Sequence, residues 1–555
     1  MKAEIRKIDG AMRIVVDEKP IPANAYITFF ADKAHHKDFA DIGFKLFSFT
    51  IYFSSKTINE NSQVPCFGEA IFDSDEPRYD IIDRGFRQIL EACPDALIFP
   101  RLDTAVPEKW ERANPDELCD EGKVEVHRPC FSSDAWLEET KRLIALAVGH
   151  METSDYADHI VGYQIANGNT QEWLPYDNKG CIGKRSREKF SEYCTENNVE
   201  PTEANYYGFL SYIVGDRICK LSEFTKSIVN RDILVGAFYG YTFECPQRWN
   251  IHHSLEKVLN CDAVDFICSP VSYAFNRDRG LDHACMLPCD SLREHGKLYF
   301  AENDTRTHLS KVPFPEIPYF QLPVWAPKKF EDTVEVIKMH YARALTHGYA
   351  LWWFDMWGGW FDDATYMGMF ESFLKITKQS MSKPMHSVSE IAVFVDEKAY
   401  KYVKDDAIGM RVSYLSRKAL GKIGAPYDAY LACDYERVKD RYKAIIILDP
   451  YRTETVDKMI ADAKARGVGC LVIDKDNFAI TSDELREFCK QSGVFLYSNK
   501  DAVVYANASY LFVHTCSEGA LDLEIPRGVT AKPLFDAENV ENVPFGYGCL
   551  FELER

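Results

Sequence analysis

Lys297-Leu-Tyr-Phe-Ala-Glu-Asn-Asp-Thr-Arg306 is the stretch on which the reading of this chain turns. A short apolar run ends there on a carboxylate, Glu302, and polar residues follow. A brief apolar run bounded by polar residues reads as a strand buried on both faces, the kind found in parallel sheets. A carboxylate at the C-terminal end of such a strand points toward the open face on which neighbouring strands converge. Ile160-Val-Gly-Tyr-Gln-Ile-Ala-Asn-Gly-Asn-Thr-Gln-Glu-Trp173 has a similar form, with Glu172 just past its apolar run.

Further strand-like runs lie on either side. With the two above they fall at 25–30, 46–53, 96–102, 160–165, 233–241, 264–268, 298–301 and 350–354. Amphipathic stretches separate them. Residues 79–92 carry Ile81, Ile82, Phe86, Ile89 and Leu90 on one face. Residues 134–150 carry Trp136, Leu137, Leu143, Ile144, Ala147 and Val148 behind a Ser132-Ser133-Asp134 start signal. Eight strands alternating with helices over 1–385 predict a (β/α)8 TIM barrel, with its site built from the loops after the strands.

The pattern breaks at Ser380-Met-Ser-Lys-Pro-Met-His-Ser-Val388, a polar linker containing proline. Over 386–498, strands at 390–395, 427–431, 444–448 and 469–473 alternate with helices near 409–422 and 453–466. That order predicts a small doubly wound α/β domain. It has no Gly-x-Gly-x-x-Gly fingerprint, so an interaction or oligomerisation role is expected of it rather than a second active site. Over 499–555, β-prone runs at 502–505, 510–514, 521–525 and 549–553 predict a small β-sandwich-like C-terminal domain.

A chain of 555 residues exceeds what one hydrophobic core supports. Its net charge of −20 argues against nucleic acid or an anionic membrane as partner. No apolar run approaches the ~18 residues of a membrane span, and the N-terminal residues lack a secretory apolar region. The 17 cysteines are odd in number and follow no framework, which suits reduced thiols and a cytoplasmic location. His283, Cys285 and Cys289 form the tightest ligand-type set, but their spacing matches no zinc pattern. No metal and no cofactor are expected.

Two carboxylates presented from two strand ends are the minimum apparatus for cleaving a glycosidic bond. A retaining mechanism needs an ionised nucleophile and a general acid that keeps its proton near neutrality. Asn303, Thr305 and Arg306 stand near Glu302 as donors, and Trp173 stands beside Glu172. The pair is therefore expected to titrate apart, Glu302 low and Glu172 high. Glu244, after the fifth run, is the competing acid. Trp173, Trp249, Trp325 and Trp357 are candidates for stacking on sugar rings or for loop packing. Asp103, Asp304 and Asp355 are candidates for binding hydroxyls or capping helices.

Several segments resemble the retaining barrel glycosidases that place the acid/base after strand four and the nucleophile after strand seven. These are Phe99-Pro-Arg-Leu102, Asn114-Pro-Asp-Glu117, Val161-Gly-Tyr-Gln164, Gly236-Ala-Phe-Tyr-Gly-Tyr241, Asp265-Phe-Ile-Cys-Ser-Pro270 with Tyr273, and Trp352-Trp-Phe-Asp355 with Trp357 and Trp360. More narrowly, the chain is similar to the family 42 β-galactosidase type, which joins a barrel to a flavodoxin-like trimerisation domain and a small β domain. The resemblance implies Glu172 as acid/base and Glu302 as nucleophile. It implies Arg101 and Tyr273 on the nucleophile or the sugar, Asn167 or Asn169 at the sugar 2-hydroxyl, and Trp353, Trp360 and Asp355 around the sugar. It further implies a carbohydrate substrate, exo-β-glycosidase activity and a homotrimer. The sequence departs from the family's Asn-Glu pair, reading Asn167-Gly-Asn-Thr-Gln-Glu172 instead. That departure keeps β-mannoside open as the substrate and a non-catalytic carbohydrate-binding barrel open as a different class.

Overall fold

The computed structural model describes residues 1–60, 62–120, 128–177, 179–273, 277–317, 327–516, 521, 523–535, 543 and 545–554. Strands β1 (Ala3–Ile8), β2 (Ala11–Val16) and β3 (Lys19–Pro20) form an antiparallel sheet that the sequence reading did not foresee. Met12, Ile14 and Val16 of this sheet pack into the same cluster as Ala25, Leu46, Leu234 and Leu298 from the barrel strands. The hairpin thereby closes the bottom of the barrel.

The barrel strands are β4 (Asn24–Thr28), β5 (Leu46–Tyr52), β6 (Leu97–Ile98), β7 (Arg101–Asp103), β8 (Gly162–Ala166), β9 (Leu234–Phe238), β10 (Phe266–Pro270), β11 (Leu298–Asn303) and β12 (Ala350–Phe354). Every pairing is parallel, and β12 returns to β4, which also pairs β5, so the sheet closes on itself. The third stave is the pair β6 and β7, interrupted at Phe99-Pro100. Proline has no N–H for the ladder, which is why one predicted run became two short strands.

Alternation fixes which side chains fill the barrel. Leu298 and Phe300 of β11 turn inward against Phe99, Phe266 and Trp352. Glu302 continues that inward row at the top. Gly236 of β9 leaves room for this layer, since a Cβ there would stand 2.2 Å from the Phe266 ring.

Outside the barrel lie helices at Tyr79–Ala92, Asp134–Glu152, Glu203–Ser227, Phe330–His347 and Ala364–Ser380. Ser133 caps the second, accepting from the Trp136 N–H, as its sequence signal predicts.

In the second unit, β13 (Ile391–Val395), β14 (Asp428–Leu431), β15 (Ala444–Leu448) and β16 (Gly469–Ile473) form a parallel sheet in the order β14-β13-β15-β16. The helix expected near 409–422 is broken into Asp406–Gly409, a wider-wound turn at Met410–Leu415, and Arg417–Leu420.

The C-terminal unit is a single antiparallel sheet among the described residues, ordered β17 (Ala502–Ala506), β18 (Tyr510–Thr515), β20 (Gly548–Glu554), β19 (Thr530–Phe535). Of the strand expected at 521–525, the described residues show only an isolated bridge from Leu521 to Val543. Strand β19 replaces it.

Candidate active site

Glu302 lies on β11, buried at the upper end of the barrel. Its Oε2 accepts a 3.1 Å hydrogen bond from Nη2 of Arg101 on β7. The Arg101 guanidinium is spread over three acceptors, for its Nε also donates to Gln164 Oε1 at 2.8 Å and its Nη1 to Gln171 Oε1 at 3.3 Å. Its apolar bed is the Phe238 ring, 4.8 Å away. The donors expected from sequence neighbours do not serve Glu302. Thr305 accepts from Arg277, Arg306 lies over the Trp357 ring, and both polar side-chain atoms of Asn303 are buried without a hydrogen bond to any of the described residues.

Glu172 reaches the same space from the loop after β8. Thr170 Oγ1 donates to its Oε2, and Tyr241 OH donates to its Oε1 at 2.7 Å. The loop is held in an unusual backbone form. Gly168, Thr170, Gln171 and Trp173 all have positive φ, at 76°, 55°, 67° and 60°. Non-glycine residues adopt that region at a cost, and such residues cluster at functional sites. Trp173 does not face Glu172. Its indole N–H donates to Ile165 O, and its ring packs between Phe131 and Trp136.

One cavity carries both acids. Arg101, Thr170, Tyr273 and Asp304 complete its polar side, while Phe29, Ile58, Val64, Phe67, Phe354, Met356 and Trp357 form an apolar wall. Asp304 is a third carboxylate, bound by Tyr273 OH at 2.8 Å and by Arg277 Nη1 at 2.6 Å. A larger cavity of about 450 Å³ opens between the helix Glu203–Ser227 and residues near 397–401, and it contains neither Glu172 nor Glu302.

Burial pushes both acids of the pair up, Glu172 to about 7 and Glu302 to about 8. Loss of solvation is the first cause for each carboxyl; the Asp304 carboxylate raises both, and Glu172 further raises Glu302. The expectation that they titrate apart is therefore corrected. Arg101 and the hydroxyl donors moderate the shift of each without outweighing burial.

The structure brings Arg101, Tyr273, Glu172 and Glu302 together, and it sends the other expected sugar contacts elsewhere. Asn167 donates to Thr104 Oγ1 and accepts from Tyr176 OH, and Asn169 accepts from Glu60 N and donates to Pro175 O, so both brace the loop. Trp353 faces outward against Phe370 and Phe373; the inward indole is Trp352. Asp355 is occupied by Tyr26 OH and the Trp360 N–H, and Trp360 itself is fully buried behind Trp357. Glu244 accepts from Ser272 and from the Tyr273 N–H and pairs with Arg417, outside the cavity lining. Trp249 donates to Asp406, Asp103 accepts from Gln171, and Trp325 lies outside the described residues.

Asp304 and Trp357, named from sequence as candidates for hydroxyl binding and stacking, do line the cavity, whereas sequence reasoning missed Tyr241 as the partner of Glu172 and the rest of the apolar wall. Among the described residues, no group of three or more His, Cys, Asp or Glu side chains is placed to hold a metal. No described helix is long and apolar enough to cross a membrane.

The sequence matches no family model and no curated protein. Its fold is shared with solved structures at low identity. The cold-adapted β-galactosidase from Rahnella sp. R3 superposes with a TM-score of 0.66 at 11% identity, over 100% of both chains. The β-galactosidase from Marinomonas ef1 gives 0.65 at 11%, over 95% of this chain and 99% of that one. The family 42 exo-carrageenase from Bacteroides ovatus gives 0.60 at 12%, over 100% of this chain and 84% of that one. The chain thus has the fold of family 42 β-galactosidase structures, from barrel through α/β unit to C-terminal sheet.

Proposed function

We propose that this chain is a retaining exo-β-glycosidase with Glu302 as nucleophile and Glu172 as acid/base. The supporting observation is two carboxylates, Glu302 buried and Glu172 half-buried, delivered by different barrel staves into one cavity, of which Glu302 alone touches a guanidinium among the described residues. Near neutrality such a pair holds one proton between its two members, and the pair, not either residue, owns the titration. Burial lifts Glu302 to about 8 and Glu172 to about 7, an order that by itself would leave the last proton on Glu302; the proposed roles rest instead on the direct Arg101 contact, which favours negative charge on Glu302.

The carboxylate of Glu302 attacks the anomeric carbon while Glu172 gives its proton to the departing oxygen. The glycosyl ester on Glu302 is then opened by water, whose proton passes to Glu172, and both groups return to their starting states. The apolar wall lowers the polarity around the pair, which strengthens each charge interaction in the step.

Proteins named β-galactosidase and one named exo-carrageenase share this fold, and fold alone does not choose a sugar. β-Galactoside is the first substrate to test and β-mannoside the second. The wider reading takes the chain as a cytoplasmic homotrimer acting on short imported glycosides; the 17 cysteines, none of them in a disulfide among the described residues, suit that compartment.

Hydrolysis of a panel of aryl α- and β-glycosides tests the reading, with Glu302→Gln and Glu172→Gln alongside wild type. Turnover of a β-glycoside, lost in Glu302→Gln by at least about a thousandfold, is the expected result. Saccharide binding with no turnover of any glycoside would refute it and leave a carbohydrate-binding barrel.

A further inference from the structure

Arg417 belongs to the second unit, on the short helix Arg417–Leu420, yet its guanidinium is spent mostly on the barrel. Its Nη1 donates to Cys285 O at 2.8 Å, its Nη2 to Phe243 O at 3.2 Å, and its Nε returns to Ser413 O at 2.9 Å. Nη2 also lies 3.4 Å from Glu244 Oε2, with both side chains less than a tenth exposed. Two barrel loops, one after β9 and one after β10, are thereby tied to one side chain of the neighbouring unit.

Glu244 passes this tie onward. Its Oε2 accepts from Ser272 Oγ at 2.6 Å, and its Oε1 accepts from the Tyr273 N–H at 2.8 Å. Tyr273 lines the cavity, where its hydroxyl donates to Asp304 Oδ2 at 2.8 Å. Arg417 is therefore two side chains from the cavity. We propose that Arg417 is a positioning residue of the active site, fixing Tyr273 and through it Asp304 by holding Glu244 as an acceptor.

The chemistry of Glu244 makes this more than a contact between units. A buried carboxylate that loses its cation takes up a proton, because an uncompensated buried charge is strongly unfavourable. A carboxyl group that gains a proton turns one acceptor oxygen into a donor. With the proton on Oε2 the Ser272 hydroxyl must reverse and accept, and the Tyr273 N–H is left donating to a neutral carboxyl oxygen, a weaker bond than the one to a carboxylate, so the segment carrying Tyr273 is held less firmly. Arg277 lies over the Tyr273 ring at 4.3 Å and braces Asp304 from the other side, so the expected movement is small.

The inference rests on the glycosidase reading for its kinetic consequence but not for its structural one. The variants are Arg417→Met, Arg417→Lys, Tyr273→Phe and the double variant Arg417→Met/Tyr273→Phe, in the full chain. The kinetic readouts are KM, kcat and the pH profile on the aryl glycoside that wild type turns over. KM in Arg417→Met is expected to rise about tenfold with kcat nearly unchanged, because small misplacements of binding groups have effects of this order. Arg417→Lys keeps the charge at Glu244 and should recover part of the loss. The double variant should be no worse than Tyr273→Phe alone, since both changes act through one hydroxyl.

A crystal structure of Arg417→Met, or of Arg417→Lys if the former does not fold, should show the Tyr273–Asp304 contact lengthened or lost. The proposal is overturned if Arg417→Met lowers Tm with KM unchanged, or if its effect adds in full to that of Tyr273→Phe. An unchanged Tyr273–Asp304 contact would overturn it too. Should wild type turn over no glycoside, the glycosidase reading fails by itself, and the Tyr273–Asp304 contact in the variant still decides this one.

Discussion

Glu172 is held by two hydroxyls and no cation, whereas Glu302 is held by a guanidinium, and that asymmetry sets the expected pH behaviour. Below about 7 both carboxyls are protonated and the nucleophile is lost; above about 8 both are ionised and the acid is lost. A bell-shaped profile of kcat/KM with limbs near those values is the expected outcome of a pH series. The same burial has a stability consequence. A carboxyl whose pKa is raised on folding favours the fold less and less as pH climbs from its ordinary value of 4.5 through about 7. Glu172→Gln should therefore match wild type in unfolding free energy at pH 4 and exceed it at pH 8, by up to about 3 kcal/mol. Equal differences at both pH values would contradict the assignment of a raised pKa. Residues of this kind were legible in part. Glu302 is marked by its place at the end of an apolar run, but its true cation, Arg101, stands 201 positions away in sequence. Trp353 was expected at the sugar, although alternation along β12 assigns the inward place to Trp352, and that parity was readable from Phe354 and Ala350.

The loop after β8 is the element that delivers Glu172, and glycine at 168 is its hinge. A Cβ there would stand 2.6 Å from Leu174 O, on a residue already at φ +76°. Gly168→Ala should cost about 1–2 kcal/mol from the left-handed backbone alone, more with the clash, and should lower kcat/KM by displacing Glu172. Thermal melts and kinetics on one preparation check both; an unchanged kcat/KM would separate the loop from the chemistry. Strand positions in the barrel were legible to within a few residues because continuous apolar runs survive without knowledge of partners. The C-terminal sheet was less so. Residues 521–525 alternate in the manner of a strand, but the described residues among them show only an isolated bridge at Leu521, whereas β19 contains Pro533 and a bulge, which hide it from a pattern reading. The helix at 406–420 is broken in the segment from which Arg417 reaches the barrel, a contact no local pattern reveals.

At the scale of the molecule, three units meet around Asp282, a barrel residue. Its Oδ1 accepts from Arg343 at 2.6 Å and from Tyr505 of the C-terminal sheet at 2.5 Å, and its Oδ2 accepts from Tyr427 of the second unit at 3.1 Å. These side chains are buried or nearly so, and removing one partner leaves charge unmatched in a dry place. Asp282→Asn should lower Tm with little effect on KM, in contrast to Arg417→Met. A rise in KM equal to that of Arg417→Met would mean that any loosening between units disturbs the site. Nothing in the sequence pointed to this junction, because its members come from runs that look alike whether they face solvent or another unit. The proposed homotrimer predicts a light-scattering mass three times the 63.6 kDa of one chain, and a monomer at micromolar concentration would contradict it.

The central claim is that Glu302 becomes covalently glycosylated. The most direct measurement is mass spectrometry of the protein after reaction with an activated 2-deoxy-2-fluoro aryl β-glycoside matching the sugar that wild type turns over. Such a substrate is expected to form the glycosyl ester faster than water opens it. The account predicts one added fluoroglycosyl group per chain, located to Glu302 in the digested peptide and missing from Glu302→Gln. An adduct on Glu172 or another carboxylate, or turnover of the parent substrate with no adduct formed, would contradict it.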